Sequence, residues 1–236
     1  MRYETPETKE EAVSLLSMAD GSGRVLAGGT DLLVQLRSGM IDPDVVVDIK
    51  QIAETREIVV ENGEFRVGAA VTGAELDEHD ALKKAWPGVV EAVELIGSTQ
   101  IQGRASMGGN LCNASPAADS VPALIAAGAQ CHIAGLDGER TLPVEQFCTG
   151  PGVTNLKTGE FLVSFTLPAR QPRSGDAYLR FIPRTEMDIA VVGVGVNLSI
   201  DSDGMCVAAR IGLGAVAATA LLVTEAADAL IGTSLD

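Results

Sequence analysis

The 236-residue chain is short of positive charge, of aromatic side chains and of histidine. Lys and Arg number 17 against 32 Asp and Glu, a net charge of −15. That deficit argues against a nucleic-acid or anionic-membrane surface, since both need a basic footprint. It also sets a condition: a phosphate-bearing ligand must be held locally, by backbone N–H groups or a few placed cations. Aromatics make up only 3% of residues, so the core has to come from Val, Leu, Ile and Ala. The two histidines, His79 and His132, and the four cysteines, Cys112, Cys131, Cys148 and Cys206, show no Cys-x-x-Cys spacing and no metal-ligand pattern, so no metal is expected in this chain. Four unpaired thiols, and an opening MRYETPETKEEAVSLL without the apolar core of a signal peptide, lead to an expected cytoplasmic location. No apolar run approaches the roughly 18 residues of a membrane span. No Ser-His-Asp or Cys-His set can be argued, so no catalytic residue is nominated.

What is present is ordinary folded-protein composition, 46% hydrophobic and 21% charged. Thr8 to Met18 reads as an amphipathic helix with Ala12, Leu15 and Leu16 on one face, closed by Asp20-Gly21-Ser22-Gly23. A strand over 24–27, a turn over 28–31, a helix over 32–37 with Thr30 or Asp31 as N-cap, and a buried strand over 45–49 make a β–turn–α–β unit. From Ile58 onward the pattern predicts a strand over 64–68, a helix start at Thr72 with Glu75 completing a capping box, and a helix from Trp86 to Ile96. An Ala-rich helix over 120–127, a strand over 131–134 turning at Asp137-Gly138, and a strand over 160–167 follow. Beyond a linker at 171–175 come three strand-like runs, 177–182, 189–200 and 205–213, and a helix over 224–231. Three strands and one helix form a thin layer, so this last unit reads as incomplete.

Two glycine-rich turns stand out. Ala27-Gly28-Gly29-Thr30-Asp31 joins a strand to a helix, where outward-pointing amides make an anion site. Steric need alone also puts glycine in such turns, and neither the Gly-x-Gly-x-x-Gly spacing nor a P-loop is present. The second is SMGGNLCNASPAADS, Ser106 to Ser120, which has one charge and almost nothing large to pack as a helix or a strand. Gly108-Gly109-Asn110 can line up amides, with Gly109 a candidate for positive φ, and Asn113, Ser115 and Asp119 can bond a polyol or fix the loop. A tight connector that lets helices pack closely is the competing reading.

Taken together, Val25 to Leu32 and Ser106 to Ser120 resemble the FAD-binding medium subunit of the molybdenum hydroxylases, the xanthine dehydrogenase and carbon monoxide dehydrogenase relatives. Arg184-Thr185-Glu186-Met187-Asp188-Ile189-Ala190 resembles the segment that opens that family's C-terminal domain. The resemblance implies an α+β fold: a two-part FAD-binding domain of the vanillyl-alcohol-oxidase type over 1–170, with halves at about 1–57 and 58–170, then a small α/β C-terminal domain over 174–236. It implies FAD contacts from Val25, Leu26, Ala27, Gly28, Gly29, Thr30, Asp31 and Leu32, and from Ser106, Met107, Gly108, Gly109 and Asn110. It adds Asp119 at the flavin, Ile96 where relatives place an aromatic, Leu162 against the cofactor, and Arg180 where relatives carry Lys. Arg differs there, being planar and permanently charged. The implied function is electron transfer from [2Fe–2S] clusters of a small partner subunit, fed by a large molybdenum–pterin subunit, to an external acceptor, in a dimer of heterotrimers. The alternatives are a stand-alone FAD reductase, like the enolpyruvyl reductases, with Ser106 or Glu186 as proton donor, and a structural subunit without FAD.

Overall fold

The computed structural model describes residues 1–185 and 187–235. The chain begins with β1 (Arg2–Glu4), α1 (Lys9–Met18), β2 (Gly23–Leu26), α2 (Leu32–Arg37) and β3 (Val45–Asp48). The strands form a parallel sheet in the order β1-β3-β2. Central β3 is buried along its length, as its apolar run requires. Thr8 caps α1 by accepting from the Glu11 amide, and Ala12, Val13 and Leu16 turn inward; Leu15 is only half-buried, so Val13 takes the place expected of it. β1 was not expected, because Arg-Tyr-Glu has no apolar pattern. It forms by pairing with β3, and the Tyr3 hydroxyl donates to Asp48 Oδ2 at 2.5 Å.

Next come β4 (Ile58–Glu61), β5 (Glu64–Gly68), α3 (Gly73–Asp77), α4 (Asp80–Ala85), α5 (Pro87–Glu94), α6 (Met107–Cys112), α7 (Ser120–Ala127), β6 (Gln130–Gly135), β7 (Gly138–Pro143), the short ribbon β8 (Cys148–Gly150) and β9 (Val153–Thr154), and β10 (Phe161–Leu167). An antiparallel sheet runs β4-β5-β10-β6-β7. The capping box at Thr72 and Glu75 is complete in both directions. The helix expected over 86–96 is shorter, 87–94: Pro87 sets its start and the αL glycine Gly97, at φ +66°, lies just past its end. All eight residues of α7 are buried, and Gly128 at φ +70° ends it.

The chain closes with β11 (Ser174–Phe181), β12 (Val192–Ile200), β13 (Cys206–Gly214), β14 (Leu221–Leu222) and α8 (Thr224–Leu230). Their sheet, β11-β12-β13-β14, has one strand more than expected, because two-residue β14 is too short to carry a pattern. It lies directly on α7. A Cβ added at Gly195 or Gly212 would come within 2.4 or 2.3 Å of the Pro122 carbonyl oxygen, so these glycines permit the contact. Asp176 on β11 accepts the Val89 amide at 3.2 Å in the first turn of α5, and Arg170 stacks 4.2 Å over the Trp86 ring. The helix α7 is thus packed between this sheet and helices α5 and α6, in a core rich in Val, Leu, Ile and Ala whose largest buried side chains include Trp86, Phe147 and Phe165.

Candidate functional site

The first glycine turn leaves the end of β2, and its entrance is fixed by charge. The Lys50 ammonium donates to the Ala27 carbonyl at 3.0 Å and to Asp48 Oδ1 at 2.7 Å. Burial pushes the Asp48 carboxyl up, but Lys50 and the Tyr3 hydroxyl more than offset this and hold it below the usual carboxylate range. Gly28 follows in close contact with the segment that leads into the second turn: a Cβ there would fall 1.8 Å from the Arg104 carbonyl oxygen. Gly29 sits at φ +82°, the left-handed region that favours glycine. Asp31 occupies the N-cap position of α2, yet neither it nor Thr30 caps the helix with a side-chain bond. Its Oδ1 instead accepts from Asn113 Nδ2 at 3.1 Å.

The second turn is the start of a helix. Ser106 accepts the Gly109 amide at 3.0 Å as the N-cap of α6, and Gly108 and Gly109 are helical. The expectation of a positive φ at Gly109 is therefore not met. What Gly108 permits is contact, since a Cβ there would lie 2.3 Å from the Ala69 carbonyl oxygen. Small residues let this poor helix former sit against the neighbouring backbone, and tertiary packing overrides propensity.

The two turns meet along one cleft of about 650 Å³, within the usual range of ligand sites. Val25, Ala27, Gly28, Gly29, Thr30, Asp31 and Leu32 line it on one side; Ile96, Ser106, Gly108, Gly109 and Asn110 on the other; Leu162 contributes an apolar patch. Leu26 faces a smaller hollow behind the first turn, and Met107 is buried in the core. Asp119 and Arg180 do not line the cleft. They form a buried pair, Arg180 Nη1 to Asp119 Oδ2 at 3.0 Å, and the Tyr178 hydroxyl donates to Asp119 Oδ1 at 2.9 Å. Burial raises the Asp119 carboxyl above its ordinary value, against the opposing pull of Arg180 and Tyr178. Arg180 also donates to the Leu95 carbonyl at 3.0 Å and so supports the segment that brings Ile96 to the cleft.

Sequence reasoning missed the cations. Arg24 and Lys157 line the cleft, the Arg24 guanidinium being anchored on the Gly21 and Gly23 carbonyls at 3.1 and 2.8 Å. Of the acids there, Glu160 is neutralised by a two-point pair with Arg140, both bonds 2.8 Å, which hold its carboxyl below the usual range. Nothing in the spacing of Arg24 or Lys157 marked them; their role comes from the approach of the 157–162 segment to β2. Gln35 was also missed: it lines the cleft beside Asn113, one of the polar residues expected to fix the loop or bond a polyol, and the two side chains bond each other at 3.3 Å.

Of the candidate proton donors, Ser106 is 3% exposed and engaged as a helix cap, and Glu186 lies outside the described residues. In the segment resembling the family's C-terminal opening, Arg184 and Asp188 form an exposed two-point ion pair. Among the described residues no cluster of His, Cys, Asp and Glu is arranged to hold a metal ion, and no helix is long and apolar enough to cross a membrane.

Comparison with known proteins gives a consistent result. Residues 1–170 match the family described as FAD binding domain in molybdopterin dehydrogenase, and residues 177–236 match the CO dehydrogenase flavoprotein C-terminal domain. The xanthine dehydrogenase FAD-binding subunit of Escherichia coli O157:H7 is 34% identical over 203 residues, covering 85% of this chain and 69% of that protein. The carbon monoxide dehydrogenase medium chain of Afipia carboxidovorans is 32% identical over 234 residues, 99% of this chain and 81% of that protein. The solved structure of reconstituted CO dehydrogenase from Oligotropha carboxidovorans superposes with a TM-score of 0.95 at 31% identity, over all of this chain and 82% of the other.

Proposed function

The chain belongs to the family of FAD-binding subunits of the molybdopterin dehydrogenases, and on that premise we propose that its cleft binds FAD in a multi-subunit oxidoreductase. The observation that carries this reading is the meeting of two glycine turns in one cleft whose cations are local. In a chain of net charge −15, the amides of 28–31, Arg24 and Lys157 supply the positive potential that a pyrophosphate needs. The residues present fit the cofactor: an amide-rich turn for the phosphates, polar Ser106 and Asn110 for the polyol, and apolar Ile96 and Leu162 for a ring face.

When bound, FAD would supply redox chemistry between the [2Fe–2S] clusters of a small partner subunit, fed by a large molybdenum–pterin subunit in a dimer of heterotrimers, and an external acceptor. The chain's own residues bind and orient. Gly28 and Gly29 bring backbone close to the phosphates. Arg180 and Tyr178 fix the Asp119 carboxylate and, through Leu95, the position of Ile96. Residues over 1–170, in halves at about 57, form the FAD-binding part, and 174–236 the smaller unit that buttresses α7.

A visible spectrum of the purified protein, with FAD added where none is retained, tests the reading. Bands near roughly 370 and 450 nm are expected of protein-bound flavin. Their absence at saturating FAD would overturn it. Co-purification with molybdenum and iron–sulfur subunits is the expected assembly; flavin-dependent reductase activity from this chain alone would favour the stand-alone alternative.

A further inference from the structure

One wall of the cleft is thinly attached. Helix α2 has six residues, none of them buried, with Leu33 51% and Val34 62% exposed. Its N-terminus has no side-chain cap. The facing helix α6 rests on the core through Met107, Gly108 and Leu111, all buried. A segment with so little apolar burial belongs to the low-stability end of a fold and opens locally at small cost. Among the described residues, two side-chain hydrogen bonds join α2 and its cap to the end of α6, and both converge on Asn113. Its Nδ2 donates to Asp31 Oδ1 at 3.1 Å, and its Oδ1 accepts from Gln35 Nε2 at 3.3 Å. Both ends of the amide are used, and Asp31, Gln35 and Asn113 all line the cleft.

We propose that Asn113 is a latch across the cleft: it holds the α2 wall closed and sets how fast a dinucleotide is taken up and released. The pairing is directional. An ionised Asp31 can only accept and the Gln35 amide group donates, so a side chain that offers one donor and one acceptor on a short stem is required. Alanine removes both bonds, and aspartate sets two carboxylates against each other. Asn113 is thus a positioning residue, acting on the cofactor through the wall it holds.

The inference rests on the FAD reading, so the experiment separates the two. FAD release from the purified full chain, with any partner subunits that accompany it, is followed by the rise in flavin fluorescence. Hydrogen exchange of the Leu32–Arg37 amides is measured on the FAD-free protein. Asn113→Ala should release FAD roughly fivefold faster and Asn113→Asp roughly tenfold faster, each with faster exchange across α2. The double variant Asp31→Asn with Asn113→Asp exchanges donor and acceptor across the same gap and should return both readouts toward the parent, which general loss of structure would not do. Variants that release FAD within twofold of the parent, with α2 exchange unchanged, overturn the latch and leave the cofactor reading intact. A parent that binds no FAD overturns the cofactor reading, and the exchange arm then still decides whether Asn113 holds the wall.

Discussion

Both glycine turns line the cleft and each sets one glycine against a backbone carbonyl, but the turns do this on different backbones. In the first, Gly28 lies against the Arg104 carbonyl and Gly29 adopts φ +82°. In the second, Gly108 lies against the Ala69 carbonyl while Gly109 is helical and meets only the Ser106 hydroxyl, at 3.2 Å from an added Cβ. The same dipeptide therefore answers three needs: close approach at Gly28 and Gly108, a left-handed backbone at Gly29, and an uncluttered wall at Gly109. A Gly-Gly pair in a sequence does not say which of these is in force, and the supporting structure decides it.

The largest effects should follow from the packed glycines. Gly28→Ala and Gly108→Ala each drive a Cβ into a backbone carbonyl that cannot rotate away, and a loss of about 2–4 kcal/mol is expected in denaturant unfolding. A loss under about 1 kcal/mol at both would show that the backbone gives way and that the contacts with Arg104 and Ala69 do not brace the turns. Gly29→Ala comes next. The left-handed backbone costs an L-residue about 1–2 kcal/mol, while the nearest atom, Leu26 Cδ1 at 2.9 Å, belongs to a side chain that can move. Gly109→Ala is the contrasting case. Alanine favours the helix by about 1 kcal/mol over glycine, so stability should hold or rise while FAD affinity falls, because the new methyl stands in the cleft. Isothermal titration with FAD beside unfolding curves separates the two; an unchanged FAD affinity would make Gly109 a helix residue and nothing more.

The same contrast explains what could be read in advance. The β–turn–α–β unit, the capping box at Thr72, the hairpins at Gly138 and Gly204 and the Ala-rich helix over 120–127 follow from local patterning, and the structure has each of them. β1 and β14 escaped because three polar and two apolar residues carry no period; pairing alone makes them strands. The start of α6 was taken for a turn because its composition opposes a helix, and only the serine cap and the contact with Ala69 make one. At the site, the glycine turns were legible because Gly-Gly occurs twice in the sequence, at 28–29 and 108–109, each beside short polar residues. Arg24, Lys157 and the Asn113 pairings were not, since each depends on segments far apart in sequence meeting in space. Asp119 and Arg180, expected at the flavin through the resemblance, are not among the residues lining the cleft and form a buried pair with each other.

The smallest expected effect concerns the carboxylates that brace each turn, because they are shifted in opposite directions. Asp48, behind the first turn, is held below its ordinary value, and Asp119, behind the second, is raised by burial. For Asp48 the unfolded chain binds the proton more readily. Its contribution is therefore full above an unfolded carboxylate value of about 4 and is lost as pH falls through the lower folded value. For Asp119 the folded chain binds the proton more readily, so its contribution is full below about 4 and declines as pH rises toward the higher folded value. Melting temperatures of the parent, Asp48→Asn and Asp119→Asn between about pH 3 and 7 should show this as two difference curves of opposite slope. The parent's advantage over Asp48→Asn should shrink on acidification, and its advantage over Asp119→Asn should shrink on the way back up. Parallel slopes would mean that the Arg180 and Tyr178 bonds outweigh burial at Asp119, and the two turns would then be braced by the same electrostatics rather than by opposite ones.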